Sequence, residues 1–297
     1  MDKKPLVFPL FDFDALACDI HTVCGYELGT LSAHQFPDGE TVIKIESEVM
    51  SRSVFLIASL DTPNPKIAPL IFAAETARSL GASKVVLIAP YLAYMRQDKV
   101  FESGQGITSQ YFARLISHYF DGLITVDPHL HRWHSLNELY QIPTQVLHAA
   151  LPIARWIKNN IKKPLLIGPD EESRQWVHHI ADEAGAPFVV LEKHRKGDHA
   201  VEISIPKLDR YLDKTPVLID DIISTGKTMI EAVGILQRLK LPAPVCIGVH
   251  ALFVQDAFAK LSAAGVRTIV TCNTIRHSSN AIDMNSEIVH FLKNKAQ

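Results

Sequence analysis

The chain has no apolar run long enough to cross a bilayer: its longest charge-free apolar stretches, around residues 85–95 and 243–254, fall well short of the ~18 to 20 residues of a spanning helix. It has no CxxC pair. Its four cysteines, Cys18, Cys24, Cys246 and Cys272, are too sparse for the disulfide framework of a secreted scaffold, so reduced thiols in a cytoplasmic protein are expected. Nor is there an excess of charge. Thirty Lys plus Arg against 32 Asp plus Glu leave a formal net charge of −2, which argues against bulk attraction to nucleic acid or an acidic membrane; any anionic ligand must be held locally. The opening MDKKPLVFPLFDFDA carries two lysines and a short apolar run. Asp12 and Asp14 cut that run off before a signal-peptide core is complete, so it reads as a first strand.

What is present is an ordinary core-forming composition, 47% hydrophobic and 21% charged, which excludes a disordered, collagenous or coiled-coil chain. At a typical ~150 residues per domain the 297 residues predict two domains. After an N-terminal stretch of short β-like runs, apolar segments of strand length alternate with segments of helical period. The strands are expected at 53–60, 84–90, 122–127, 164–169, 187–193, 216–221, 244–250 and 266–271. Continuously apolar, they should be buried on both faces of parallel sheets. Helices are expected near 66–80, 106–119, 148–161, 171–184, 226–239, 255–264 and 285–294, several ended by glycine (Gly81, Gly185, Gly265). The alternation predicts two doubly wound α/β domains, over 1–145 and 146–297, with the last helix a candidate to fold back on the first domain. No tandem repeat is evident, yet LIAPY, ITVDPH, LIGPD and LIDDI recur as strands breaking into proline and acidic or aromatic residues. Ligands of open α/β sheets bind outside such carboxyl ends.

The most specific stretch is PVLIDDIISTGKT, residues 216–228. A buried strand runs into two acids, Asp220 and Asp221, then a short turn with Ser224, Thr225 and Gly226, then Lys227, Thr228 and an amphipathic helix. Small residues let backbone N–H groups approach an anion, hydroxyls add donors, and the helix N-terminus adds partial positive charge. The two carboxylates cannot bind phosphate, but suit the hydroxyls of a sugar, so the stretch reads as a site for a phosphorylated sugar. GKT also invites a P-loop reading, which demands GxxxxGK[ST]. Here Asp221 stands at the first glycine, an acid where phosphate would be cradled.

Other candidates admit two readings each. Arg96, Gln97 and Asp98 follow a strand end and offer a guanidinium, an amide and a carboxylate to a phosphorylated ligand, or form a surface salt bridge. Asp38, Gly39 and Glu40 sit in a Pro-Gly turn whose composition alone explains them. Asp127, His129, His131 and His134 form a DxHxHxxH cluster, by itself compatible with a transition-metal site. Lys193 and Arg195 follow a buried strand and read equally as solvated charges.

The 216–228 loop resembles the phosphoribosyl pyrophosphate-binding loop of type I phosphoribosyltransferases and, more closely, of ribose-phosphate pyrophosphokinases. FPDGE (36–40), YLAYMRQD (91–98), TVDPH (125–129), GPD (168–170) and EKHR (192–195) stand in the order of the latter family. The resemblance runs from about residue 30 past TIRH at 274–277. It implies two domains of the type I phosphoribosyltransferase-like fold that both contribute to the active site. The implied reaction transfers pyrophosphate from ATP to the 1-hydroxyl of ribose 5-phosphate with Mg²⁺. By the same resemblance Phe36, Asp38, Gly39 and Glu40 contact ATP from a neighbouring subunit, with Phe36 as a stacking surface, and Arg96, Gln97 and Asp98 bind ATP. His129 is assigned to the Mg-ATP site and Asp170 to the cation near the ribose. Lys193 and Arg195 stabilise the transferred group under a short mobile loop near 194–201. Asp220, Asp221 and Ser224 to Thr228 hold ribose 5-phosphate, with Arg195. Self-association as at least a dimer, up to a hexamer, is implied, without nucleic acid or membrane partners.

The sequence departs from the family pattern at Pro37, where asparagine is common, and at Lys227, where the loop usually has glycine or alanine. Ser224 and the compact 193–206 segment are more like archaeal-type members, and His131 and His134 carry no role from the resemblance. Two alternatives are a phosphoribosyltransferase, which needs one such domain and a base-binding hood, and a silent regulatory subunit. The second half-chain with RQD and DPH speaks against the former; retention of Lys193, Arg195 and His129 speaks against the latter.

Overall fold

Leucine-rich and β-branched runs become the buried strands of two parallel sheets, and the amphipathic segments between them become covering helices. A computed structural model describes residues 3–196, 200–204 and 211–295, with the backbone alone over 192–196 and 200–204. In chain order the elements begin with β1 (Leu6–Pro9), α1 (Asp14–Cys24), β2 (Glu27–Leu28), β3 (Leu31–Gln35), β4 (Thr41–Ile45) and β5 (Ser53–Ile57). They continue with α2 (Pro63–Ser79), β6 (Lys84–Ala89), α3 (Thr108–Tyr119), β7 (Gly122–Val126) and β8 (Thr144–Leu147). Then follow α4 (Ala150–Asn160), β9 (Pro164–Gly168), α5 (Arg174–Ala184), β10 (Phe188–Val190), β11 (Glu192–Lys196), β12 (Ala200–Ser204) and β13 (Thr215–Ile223). Last come α6 (Lys227–Arg238), β14 (Val245–Ala251), α7 (Ala257–Ala263), β15 (Thr268–Cys272), β16 (Asn280–Ile282) and α8 (Asn285–Lys295).

The chain forms two compact units, one over Met1–Leu147 with Asn285–Gln297 and one over His148–Met284. The first holds a sheet of order β2-β1-β5-β6-β7-β8 and the second a sheet of order β10-β9-β13-β14-β15-β16. Every pairing in both sheets is parallel. Matched strand for strand the two orders are the same, so β6 corresponds to β14 and β5 to β13. That shared winding is why similar strand-end phrases recur along the chain. The order reverses direction between β1 and β5 and between β9 and β13, the switch point where an open α/β sheet leaves a crevice at its strand ends.

Central strands such as β6 and β7 are buried along almost their whole length. Leu56, Leu87, Leu70 and Phe112 belong to the first core, and Leu165, Leu218, Val233 and Leu261 to the second. Each fully buried aliphatic side chain contributes roughly 1.5–3 kcal/mol. In the first unit α8 packs against α1, where the Cys24 thiol donates to the Val289 carbonyl at 3.4 Å. No helix among the described residues is long and apolar enough to cross a membrane.

The structure differs from the sequence expectation in several places, among them the edge strands β8 and β16, which were not expected. The N-terminal stretch of β-like runs contains a helix, α1, which buries Leu16, Ala17 and Ile20 and ends at left-handed Gly25 (φ 72°). The expected strand over 187–193 is broken at Leu191: β10 stays in the parallel sheet, and β11 leaves it to pair antiparallel with β12. The loop expected over 194–201 is therefore largely the arm of a hairpin, with 197–199 outside the described residues. Strand β13 runs on to Ile223, past the expected end at 221.

Candidate active site

In the second unit the acids of GPD and IDD leave adjacent strands, because β9 pairs with β13 in register Leu166↔Val217 and Ile167↔Leu218. Asp170 caps a short 3₁₀ turn over Glu171–Ser173: its Oδ1 accepts the Ser173 N–H at 3.2 Å, and the Ser173 hydroxyl donates to the Asp170 carbonyl at 2.6 Å. Asp220 accepts the Asp221 N–H at 3.1 Å. Burial, then the nearby carboxylates of Asp221 and Asp170, push the Asp220 carboxyl well above its ordinary value. Three acids thus converge at the switch point, with a charge repulsion that a cation or hydroxyl donors would relieve.

The loop beyond them is shaped by its neighbours. Gly226 caps α6 in the left-handed region (φ 71°), a conformation L side chains rarely adopt, and its carbonyl accepts the Ile230 N–H at 2.9 Å. The Lys227 N–H reaches Thr225 Oγ1 at 3.5 Å, a long contact. Ser224 and Thr228 are half-buried, whereas Thr225 and Lys227 are exposed. A strap after β14 holds the loop from behind: Phe253 N–H donates to Ile223 O at 2.9 Å and Val254 N–H to Ser224 O at 3.1 Å. Engaging these two carbonyls keeps acceptor dipoles off an anion at the loop. The strap itself is unusual, with Phe253 and Gln255 at φ 35° and 55°. The Phe253 ring is seated against Phe258 and His277, with centroids 5.2 and 4.7 Å away. A side chain at Gly248 would come within 2.7 Å of Ile223 Cδ1, so a larger residue there requires the Ile223 side chain to shift.

Lys193 and Arg195 lie two positions apart on β11, paired with Ile203 and Val201 of β12. Extended backbone alternates its faces, so both positions share one face of the hairpin.

In the first unit FPDGE forms the tip of the β3–β4 hairpin. The Phe36 N–H donates to Glu40 O at 2.7 Å, the Gly39 N–H to Phe36 O at 2.9 Å, and the Glu40 N–H to Asp38 Oδ1 at 3.1 Å. Phe36 is 43% exposed, with its ring edge-to-face with that of His34, centroids 4.9 Å apart. Arg96 and Gln97 are exposed beyond β6, but Asp98 is buried, and its Oδ2 lies 3.5 Å from Arg132 Nε. The RQD carboxylate is thus an ion-pair partner as well as a candidate ligand. Asp127 is buried at φ 31° just after β7. His129 and His131 face each other, with Nδ1 and Nε2 3.0 Å apart. His134 stands apart from that pair, its backbone N–H bonded to Glu138 Oε1 at 3.0 Å. Sequence reasoning missed Arg132 and the 253–254 strap; the basic residue inside DPHLHRWH was the available signal for the first, and the second left none.

Residues 6–119 match the N-terminal domain of ribose phosphate pyrophosphokinase, and residues 135–287 match the phosphoribosyl transferase domain. The ribose-phosphate pyrophosphokinase of Methanopyrus kandleri is 31% identical over 90% of this chain and 91% of its own. The chain belongs to the ribose-phosphate pyrophosphokinase family. The pyrophosphokinase of Saccharolobus solfataricus, 34% identical over 81% of this chain and 82% of its own, is a second such relative. Phosphoribosylpyrophosphate synthetase from Mycobacterium smegmatis shares the fold, with a TM-score of 0.86 at 19% identity over 99% of both chains. The two doubly wound units are therefore of the phosphoribosyltransferase type, and the chain is a member of an enzyme family. Within a pyrophosphokinase, the oxygen donors of Asp170, Asp220 and Asp221 are the kind that hard Mg²⁺ takes. The imidazoles of His129 and His131 are a different donor set, better suited to transition metals.

Proposed function

We propose that this chain transfers the pyrophosphoryl group of ATP to the 1-hydroxyl of ribose 5-phosphate. The sugar oxygen forms a bond to the β-phosphorus, the bond from that phosphorus to the α-phosphate oxygen breaks, and AMP leaves with phosphoribosyl pyrophosphate as the other product. The observation that carries the reading is the match of residues 6–119 to a pyrophosphokinase N-terminal domain, a half that a phosphoribosyltransferase built from one such domain and a hood does not need. Intact Lys193, Arg195 and His129 speak against a silent regulatory subunit.

In this reading the N-terminal domain supplies the ATP loops. Phe36, Asp38, Gly39 and Glu40 serve the adenine end, and Arg96, Gln97 and Asp98 the phosphates and their surroundings. The C-terminal domain holds the sugar: Asp220 and Asp221 accept its hydroxyls, and the donors of Ser224, Thr225, Gly226, Lys227 and Thr228 hold the 5-phosphate, with Arg195. Lys193 and Arg195 donate to charge on the group in transit, the positioning and electrostatic work that dominates phosphoryl-type transfer. Bound Mg²⁺ would neutralise phosphate charge beside His129 and Asp170. The hairpin tip at Phe36 completes the ATP site of a neighbouring copy, so the working unit is at least a dimer. Free thiols at Cys18, Cys24, Cys246 and Cys272 accord with a cytoplasmic enzyme.

The test is an assay with ATP, Mg²⁺ and ribose 5-phosphate, resolving AMP from ADP. AMP should form only when sugar and cation are both present; ADP as the main product would overturn the reading.

A further inference from the structure

The tract DPHLHRWH holds two histidines that the proposed chemistry does not use, His131 and His134, and His131 lies beside His129. Its ring lies against that of His129 with centroids 3.7 Å apart and planes inclined by 50°. His131 Nε2 and His129 Nδ1 are 3.0 Å apart. Metal–imidazole bonds are ~2.0–2.1 Å long, so two of them closing on one ion across this gap would subtend about 90°, the cis angle of an octahedral ion. A neutral imidazole carries one N–H and one lone pair. In both rings the proton can sit on the far nitrogen, leaving two lone pairs at the near edge without loss of either proton. A chelate with each metal bond in its ring plane sets the centroids ~4.7 Å apart, so the 3.7 Å pair opens on binding by rotation of the two imidazoles about their side-chain torsions. Two aromatic nitrogens in this arrangement favour borderline first-row divalent ions over Mg²⁺, which prefers oxygen and dehydrates reluctantly.

We propose that His129 Nδ1 and His131 Nε2 chelate one divalent transition ion such as Co²⁺. Water and phosphate oxygens would fill its other positions. The consequence for catalysis rests on the pyrophosphokinase reading, in which His129 serves the nucleotide's cation: His131 then shifts this enzyme's metal preference toward transition ions. The binding itself does not depend on turnover.

The experiment titrates the untagged, full-length protein with Co²⁺ in the absence of nucleotide and follows the visible absorption of nitrogen-ligated cobalt. His131→Gln and His129→Gln should each weaken the Co²⁺ affinity by about tenfold or more, while His134→Ala, in the same tract but outside the pair, should leave it within about twofold. An affinity unchanged in His131→Gln, or no nitrogen-type absorption in the wild type, overturns the chelate and returns the 3.0 Å contact to a simple imidazole–imidazole hydrogen bond. Should the variants fail to fold, the wild type loaded with less than one equivalent of Cu²⁺ decides it by electron paramagnetic resonance. Splitting from two imidazole nitrogens supports the pair, and splitting from one or none overturns it. AMP formation with Mg²⁺, measured on the same wild-type sample, reports separately on the pyrophosphokinase reading. The ratio of Co²⁺- to Mg²⁺-supported AMP formation should fall in His131→Gln, and an unchanged ratio overturns the shift in preference.

Discussion

Asp220 shows how a candidate binding residue costs the fold stability. Burial and the carboxylates of Asp221 and Asp170 raise its proton affinity above the unfolded value. Its contribution is therefore fully present below the ordinary carboxylate pKa and is lost as pH rises through the raised folded value. At neutral pH Asp220→Asn removes this penalty, whichever form the buried carboxyl takes. We expect it to melt roughly 2–4 °C above the wild type at pH 7.5 in the absence of divalent cations, with the gap closing toward pH ~4. Ribose 5-phosphate binding should be lost in the same variant. A melting temperature at or below wild type at pH 7.5 would sink the account. The IDD pair was readable in the sequence as a candidate sugar-hydroxyl site; Asp170 entered only through the family resemblance, because it meets the pair through the β9–β13 pairing of segments some fifty residues apart. Lys227 is exposed at the first position of α6, where a cation opposes the helix dipole. If its ammonium holds the 5-phosphate by a charge-assisted bond of ~1.5–3 kcal/mol, Lys227→Gly raises the KM for ribose 5-phosphate about ten- to a hundredfold. A change below about twofold for both substrates would show that backbone donors suffice.

Among the elements, the β11–β12 hairpin carries the clearest test. Among the described residues it pairs with neither parallel sheet, and an isolated two-stranded ribbon is marginally stable by itself, so truncations on it are expected to cost the fold little. Lys193→Ala and Arg195→Ala should each lower kcat by roughly 10²-fold or more, the usual loss of one electrostatic donor. The melting temperature should stay close to wild type in both. His194→Ala, at the alternate position of the same strand, should retain most of kcat; equal losses at all three positions would point to a broken hairpin rather than to lost donors. The hairpin was invisible in the sequence because PFVVLEK runs without glycine or proline across Leu191, where the chain leaves the sheet. Helix α1 was hidden for another reason: its apolar positions are interleaved with Cys18, Thr22 and Cys24, and the short segment shows no strong helical period. The central βαβ alternation was legible because strands buried on both faces read as unbroken apolar runs, unlike the amphipathic helices between them.

For the whole molecule, two units with one strand order carry different loops, and in the proposed chemistry each binds a different substrate. The FPDGE tip of the first unit belongs to a ribbon separate from its parallel sheet, formed by β3 and β4 alone among the described residues. Ile43 and Ile45 on the ribbon are buried, while Phe36 and Val42 remain 43% and 48% exposed. An exposed aromatic at a hydrogen-bonded tip suits a surface completed by another copy, and mixing two inactive variants tests it. A subunit with Asp38→Ala and Glu40→Ala lacks the tip but keeps Lys193; a Lys193→Ala subunit lacks the donor but keeps the tip. If each tip serves a neighbour, a mixed dimer contains one site with both intact parts. Unfolding and refolding the two variants together should then restore roughly a quarter of the wild-type rate by random pairing in a two-fold assembly. If each tip serves its own subunit, no mixed species has a complete site and the rate stays at the level of the separate variants. Light scattering at the assay concentration fixes the assembly size in the same samples, and a fully active monomer would contradict the shared site directly.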